Sequence, residues 1–238
     1  MIKFESKHTT IYYHRHLGTT PVVLLHGWGG SHISMLGTFN YLSKFDLDII
    51  SIDLPGFGQS PHPPDFFTLE DYADTIKELL EKLNLSQITL VGHSFGARIA
   101  ILLAKEKLIK NIILTGAAGI KPKFNLKKYI RIKQYKRAVK NQKDTSQFGS
   151  HDYKQLPESQ KKVFNRIINR YLHEDLKDIH KPALLIWGKN DTDTPVYMGK
   201  KMNKLLADSA LIILDGTHYA HIENNKQFNL IAKQFILP

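Results

Sequence analysis

Along most of the chain, short β-branched and aliphatic runs alternate with longer stretches in which apolar side chains recur every three or four positions. The spacing predicts strands over Ile2–Glu5, Thr9–His14, Val22–Leu25, Ile49–Asp53, Ile88–Val91 and Ile112–Thr115, and later over Ala183–Trp187 and Ala210–Leu214. The first two read as an antiparallel edge. The next four are almost continuously apolar, as strands are when helices cover both faces. Between them, Leu69, Tyr72, Ala73, Ile76, Leu79, Leu80 and Leu83 share one face of a helix. Thr68-Leu69-Glu70-Asp71 supplies a capping box at its start, and Asn84 ends it. A second helical run covers Ala97–Lys105. The rhythm is α/β, with a mostly parallel eight-stranded sheet flanked by helices.

The rhythm breaks between Ile120 and Lys181. Tyr129, Ile132, Tyr135 and Val139, and then Val163, Ile167, Ile168, Tyr171 and Leu172, have helical spacing. Residues 120–181 are therefore expected to form a helical lid inserted into a core of residues 1–119 and 182–238. With 238 residues, 42% of them hydrophobic, the chain is long enough for one core and does not require two.

Charge changes this picture in one place. The net charge is +11, and residues 120–182 alone hold 17 Lys and Arg against 6 Asp and Glu. Cations over a site entrance would concentrate an anionic or carrier-bound substrate. The plainer reading is that Lys127, Lys128, Arg131, Lys133, Lys136, Arg137 and Lys140 form a solvated helix face. No nucleic-acid motif or stacking platform accompanies the charge, so nucleic acid is not an expected partner. Lys3, Glu5 and Lys7 interrupt any secretory apolar run, and no stretch approaches about 18 apolar residues. A cytoplasmic protein without a transmembrane segment is expected, its oligomeric state open.

With no cysteine there is no disulfide, thiolate metal site or cysteine nucleophile. The candidate nucleophile is instead Ser94, in Gly92-His93-Ser94-Phe95-Gly96 between a strand and a helix. In a G-x-S-x-G turn the glycines admit close backbone, the serine is raised above the sheet, and the next amide, here Phe95, faces the oxygen of an attacked carbonyl. A serine needs a base, and the base an orienting acid. Asp191 and Asp193 follow the strand Ala183–Trp187, and His218 and His221 follow the strand Ala210–Leu214. The order serine, acid, histidine is the one found on α/β-hydrolases.

On these residues the sequence resembles the α/β-hydrolase superfamily from Val22 to the C-terminus, weakly only in the lid. Trp187-Gly188-x-x-Asp191-x-x-x-Pro195 is similar to the family's acid loop and selects Asp191. Gly216-Thr217-His218, with Glu223 and Phe228, is similar to its histidine loop and selects His218. His26-Gly27-Trp28-Gly29-Gly30 resembles the oxyanion block, and the resemblance assigns the second oxyanion amide to Trp28. Asp53-Leu54-Pro55-Gly56-Phe57-Gly58-Gln59-Ser60 resembles a structural turn.

The resemblance implies a serine esterase acting on a small-molecule ester, with no cofactor and no metal. Its blocks are similar to those of carboxylesterases, pimeloyl-acyl-carrier-protein methyl ester esterase and cofactor-free perhydrolases. Hydrolysis of carrier-protein or CoA esters and thioesters, carbon-carbon-bond hydrolysis and a non-catalytic binding role on the same fold are the alternatives. His26 and His93 are expected as satisfied, partly buried residues, His221 as a packing residue and Asp193 as a solvated loop acid. His8, His14, His16 and His62 are placed at the surface.

Overall fold

The computed structural model describes residues 1–124, 126–141, 153–154 and 156–237. Eight strands form one sheet: β1 (Ile2–Glu5), β2 (Thr10–His16), β3 (Thr20–Leu25), β4 (Leu47–Asp53), β5 (Ile88–His93), β6 (Ile109–Thr115), β7 (Ala183–Gly188) and β8 (Ser209–Leu214). Their order across the sheet is β1-β2-β4-β3-β5-β6-β7-β8. β1 and β2 run antiparallel, β2 also pairs antiparallel with β4, and every later pairing is parallel. All eight predicted strands are present. Several are longer than their apolar runs, because β2 and β4 continue pairing through polar positions such as His16 opposite Ile49.

Alternate strand residues serve two cores. On one face Val23, Leu25, Ile50, Ile52 and Leu90 meet α2 (Leu69–Lys82) and α3 (Phe95–Leu103). On the other, Val22, Leu24, Ile49, Val91 and Ile113 meet α1 (Leu36–Leu42) and the C-terminal helix. The Thr68 hydroxyl accepts from the Asp71 amide while the Asp71 carboxylate accepts from the Thr68 amide, so the capping box is formed at both bonds. Asn84, at φ 53°, takes the left-handed turn that ends α2. The helix after Ser94 starts at Phe95, two residues earlier than the apolar run suggests, and stops at Leu103. The strand-to-helix turn sets that start rather than propensity.

Between β6 and β7 the chain forms α4 (Leu126–Lys140), α5 (Glu158–Asn169) and α6 (His173–Lys177). Val163 and Ile167 are buried as their spacing predicts, whereas Ile168 and Ile132 are exposed; α5 ends at Asn169, so Tyr171 and Leu172 do not continue its spacing, and Leu172 is buried from the link to α6. The side chains of Lys127, Lys128, Tyr129, Lys136 and Val139 lie outside the described residues. After β7 come α7 (Val196–Leu205), β8, α8 (Ala220–Glu223) and α9 (Asn225–Ile236). Among the described residues no helix is long and apolar enough to cross a membrane.

Candidate active site

Ser94 sits on the turn from β5 to α3 at φ 49° and ψ −101°, a conformation that costs an L-residue about 1–3 kcal/mol and persists only when its surroundings enforce it. They do so by backbone bonds on both sides. The Ser94 amide donates to Thr115 O (3.0 Å) and its carbonyl accepts from the Ala118 amide (3.2 Å). The Gly96 amide donates to His26 O (3.0 Å), fastening the start of α3 to the loop after β3. Neither flanking glycine can be replaced freely. A methyl at Gly92 would lie 2.6 Å from Ala97 Cα, and one at Gly96 would lie 2.3 Å from Leu25 O.

The carboxylate of Asp191 leaves the end of β7, is buried, and accepts from three groups. Its Oδ1 takes the amides of Asp193 (2.9 Å) and Thr194 (2.8 Å), and its Oδ2 lies 2.9 Å from Nδ1 of His218. Burial alone would raise its pKa. The bonds from His218 and the Thr194 amide outweigh burial and hold the group below the usual carboxylate range. In a neutral imidazole, an ionised acceptor at Nδ1 places the ring proton on Nδ1 and the lone pair on Nε2. Thr194 Oγ1 stands 2.9 Å from both Asp191 Oδ2 and Gly116 O, and 3.3 Å from His218 Nδ1.

The structure thus joins Asp191 to His218 and leaves Asp193 exposed and His221 buried away from the carboxylate. Ser94 and His218 belong to one neighbourhood. Ser94 bonds to Thr115, and the ring of His218 lies 3.1 Å from where a methyl on the next residue, Gly116, would stand. Phe95 is the first residue of α3, so its amide has no acceptor within the helix. Trp28 occupies the turn closed by the Gly30 amide on Gly27 O (3.1 Å). A methyl at Gly27 would come within 3.3 Å of Ser94 Cβ, which brings this turn against the serine.

Ser94, Trp28, Asp191 and His218 all follow the carboxyl ends of parallel strands, where open sheets of this kind bind ligands. A model of the family described as the alpha/beta hydrolase fold matches residues 20–148. The chain belongs to the α/β-hydrolase family. This α/β-hydrolase is 28% identical to the uncharacterized hydrolase YugF of Bacillus subtilis, over 97% of this chain and 94% of that one. An esterase from Exiguobacterium antarcticum superposes with a TM-score of 0.79 at 21% identity, covering 97% of this chain and 96% of its own. A bromoperoxidase from Bacillus anthracis does so at 0.78 and 23%, with 97% and 96% covered. At these identities the two structures establish the fold.

Four residues near the site make contacts that sequence patterning did not assign. Thr194 lies inside the acid loop and is recognisable only through its contacts. Phe164 of α5 packs edge-on against Trp28 at 4.9 Å between ring centroids, beside Phe57 and Phe95. The buried Arg98 of α3 donates from Nη1 to Ile167 O (2.9 Å) and Arg170 O (2.8 Å) at the end of α5. Burial pushes its pKa down to about 10, so it stays charged, facing helix-end carbonyls in place of a carboxylate. The fourth is His93.

His26, expected to be satisfied, is so. Its Nδ1 donates to Gly27 O (2.7 Å), its Nε2 accepts the Leu54 amide (3.0 Å), and burial pushes its pKa down to about 4. Asp53, fully buried, accepts from the amides of His32 and Gln59 and holds the turn after β4. Among the described residues no group of three or more His, Asp or Glu side chains is placed to hold a metal ion.

Proposed function

We propose that this hydrolase cleaves carboxylic esters through an acyl-enzyme, with Ser94 as nucleophile, His218 as base, Asp191 as its orienting acid, and the amides of Trp28 and Phe95 as oxyanion hole. The observation that carries the reading is a strained serine turn beside a histidine whose Nδ1 faces a buried, ionised carboxylate. His218 Nε2 removes the Ser94 proton as Oγ bonds to the ester carbon, and the carbonyl electron pair moves onto oxygen. Two amide donors receive that charge; loss of one costs on the order of 10²–10³ in rate. The pair returns as the bond to the leaving oxygen breaks, and His218 gives its proton to the departing alcohol. Water, deprotonated by His218, then attacks the acyl carbon and releases the acid and the serine hydroxyl. Asp191 stays ionised throughout and steadies the imidazolium.

Residues 120–181 are the lid of this site and residues 1–119 with 182–238 its core. Phe164 brings the lid against Trp28, so the acyl group meets an aromatic wall.

The test is hydrolysis of p-nitrophenyl esters from acetate to decanoate, with fluorophosphonate labelling read by mass spectrometry. Wild type should turn over and carry the label on Ser94, and Ser94→Ala should lose at least about 10³-fold in kcat. Turnover retained by Ser94→Ala would end the proposal.

A further inference from the structure

His93 precedes Ser94, and its ring turns under the loop that carries His218. Its Nε2 lies 3.0 Å from the backbone carbonyl oxygen of His218. A carbonyl only accepts, so Nε2 bears the proton and donates. Nδ1 faces the opposite way, since a methyl at Gly27 would lie 2.6 Å from it. The His218 ring is 4.8 Å from the His93 ring, centroid to centroid, and the buried His221 ring stacks on it at 4.2 Å with a tilt of 38°. One side chain therefore touches the turn that carries Trp28, the backbone of the proposed base and the strand end that presents the nucleophile.

The His93 bond joins the backbone of His218 to β5. The bonds from the Lys189 and Asn190 amides to Leu214 and Gly216 join the histidine loop to β7 instead, on the acid side. Without His93, the acid would still orient the imidazole, while its height over Ser94 would lack this tether. A misplacement of about 1 Å in a reacting group costs on the order of 10²-fold in rate.

We propose that His93 is a positioning residue, whose Nε2–H bond to the carbonyl of His218 sets the distance between the base and Ser94. The inference rests on the reading of Ser94 and His218 as nucleophile and base. His93 moves no proton itself and touches no substrate. Its environment keeps it neutral, as the bond geometry needs: burial first, then the neighbouring His221 and His218, push its pKa well below the ordinary histidine value. A second cation is thereby kept from the imidazolium that forms on His218 during attack.

The test compares His93→Phe, which keeps a ring and removes the donor, with His93→Gln, whose side-chain amide reaches about as far as Nε2 and restores it. The readouts are kcat and KM on p-nitrophenyl butyrate, the rate constant for fluorophosphonate labelling of Ser94, and thermal midpoints. His93→Phe should lower kcat and the labelling rate by about 10- to 100-fold with KM within about threefold, and His93→Gln should recover most of the loss. A purely structural role would lower the thermal midpoint of His93→Phe and leave kcat per folded molecule unchanged.

Imidazole ¹⁵N spectra of the wild type report the bond without any variant or turnover, and should show His93 as the Nε2–H tautomer. The Nδ1–H tautomer, a His93→Phe protein labelled as fast as wild type, or a His93→Gln protein no better than His93→Phe would each overturn the positioning role. A wild type that takes no label on Ser94 would overturn the hydrolase reading and the positioning role together.

Discussion

Among the described residues, the two longer helices between β6 and β7 are opposites in physics. α5 buries Val163 and Ile167, and its polar side chains reach the core. Gln160 donates to Pro63 O (2.9 Å), Arg166 to Asp65 O and Phe67 O (3.1 and 2.9 Å), and Lys162 pairs with Asp65 at 2.9 Å. Arg98 closes its far end. α4, in contrast, leaves Leu126, Ile130 and Ile132 exposed and carries seven Lys and Arg with no acid. Periodicity alone gave both an apolar face. On a helical wheel of the sequence, at 100° per residue, Lys128 and Lys136 fall among Tyr129, Ile132, Tyr135 and Val139, so the stripe that the sequence offers is interrupted by cationic residues. Spacing of apolar residues is thus half of the signal for packing, and the purity of the stripe is the other half.

Acid gives the largest expected change, and it acts on buried rings of the core rather than on α4. The buried rings of His26 and His221 have pKa values pushed down to about 4 by burial, against about 6.5 in an unfolded chain. Between those values the unfolded chain binds protons that the folded chain does not. Unfolding free energy should therefore fall as pH drops from about 6.5 to about 4, by at most roughly 3 kcal/mol for each of these two rings. Urea melts followed by tryptophan fluorescence from pH 7.5 to 4 check this; a flat profile would mean that the rings are not buried as neutral groups.

Arg98→Met comes next. It leaves the carbonyls of Ile167 and Arg170 without their charged donor and should lower the unfolding free energy by about 3 kcal/mol. Hydrogen exchange should rise across α5 first, and a loss below about 1 kcal/mol would erase the contrast between the helices.

Phe164→Ala tests the wall that α5 builds. Removal of the ring should shift kcat/KM toward decanoate over acetate by roughly tenfold, about 1.4 kcal/mol in differential transition-state binding. An unchanged chain-length profile would place the acyl group elsewhere.

The smallest effect belongs to α4. Arg137→Gln with Lys140→Gln should change stability by less than about 0.5 kcal/mol. It should lower kcat/KM for an anionic monoester by about two- to threefold at low ionic strength, with no difference in 0.5 M salt. Equal behaviour toward neutral and anionic esters at every salt concentration would make these cations a solvated face only.

Much of the rest was legible. The strands announced themselves because both faces of each central strand are apolar, and the capping box at Thr68 is written within four residues. Ser94 stood out in its G-x-S-x-G turn, whereas Asp191 and His218 were selected over Asp193 and His221 by the resemblance of their loops to those of the family. Their supports did not stand out. Arg98 bonds to residues 69 and 72 positions away, and His93 to one 125 positions away; no local pattern encodes such partners. Thr194 was hidden differently, as a common residue whose role is set by geometry alone.

β6 lies between the strand that leads to Ser94 and the strand that leads to Asp191. The residues that follow it, Gly116 to Ala118, therefore emerge between the two loops and bond to Thr194 on one side and Ser94 on the other, while the strands around them are locked by the register of the sheet. Sequence on the exposed face of α4 can be rewritten without touching the bonds that hold Ser94, Asp191 and His218. On the proposed function, selectivity and chemistry are separately heritable in such an arrangement, and a library confined to α4 is expected to explore new substrates on an unaltered engine.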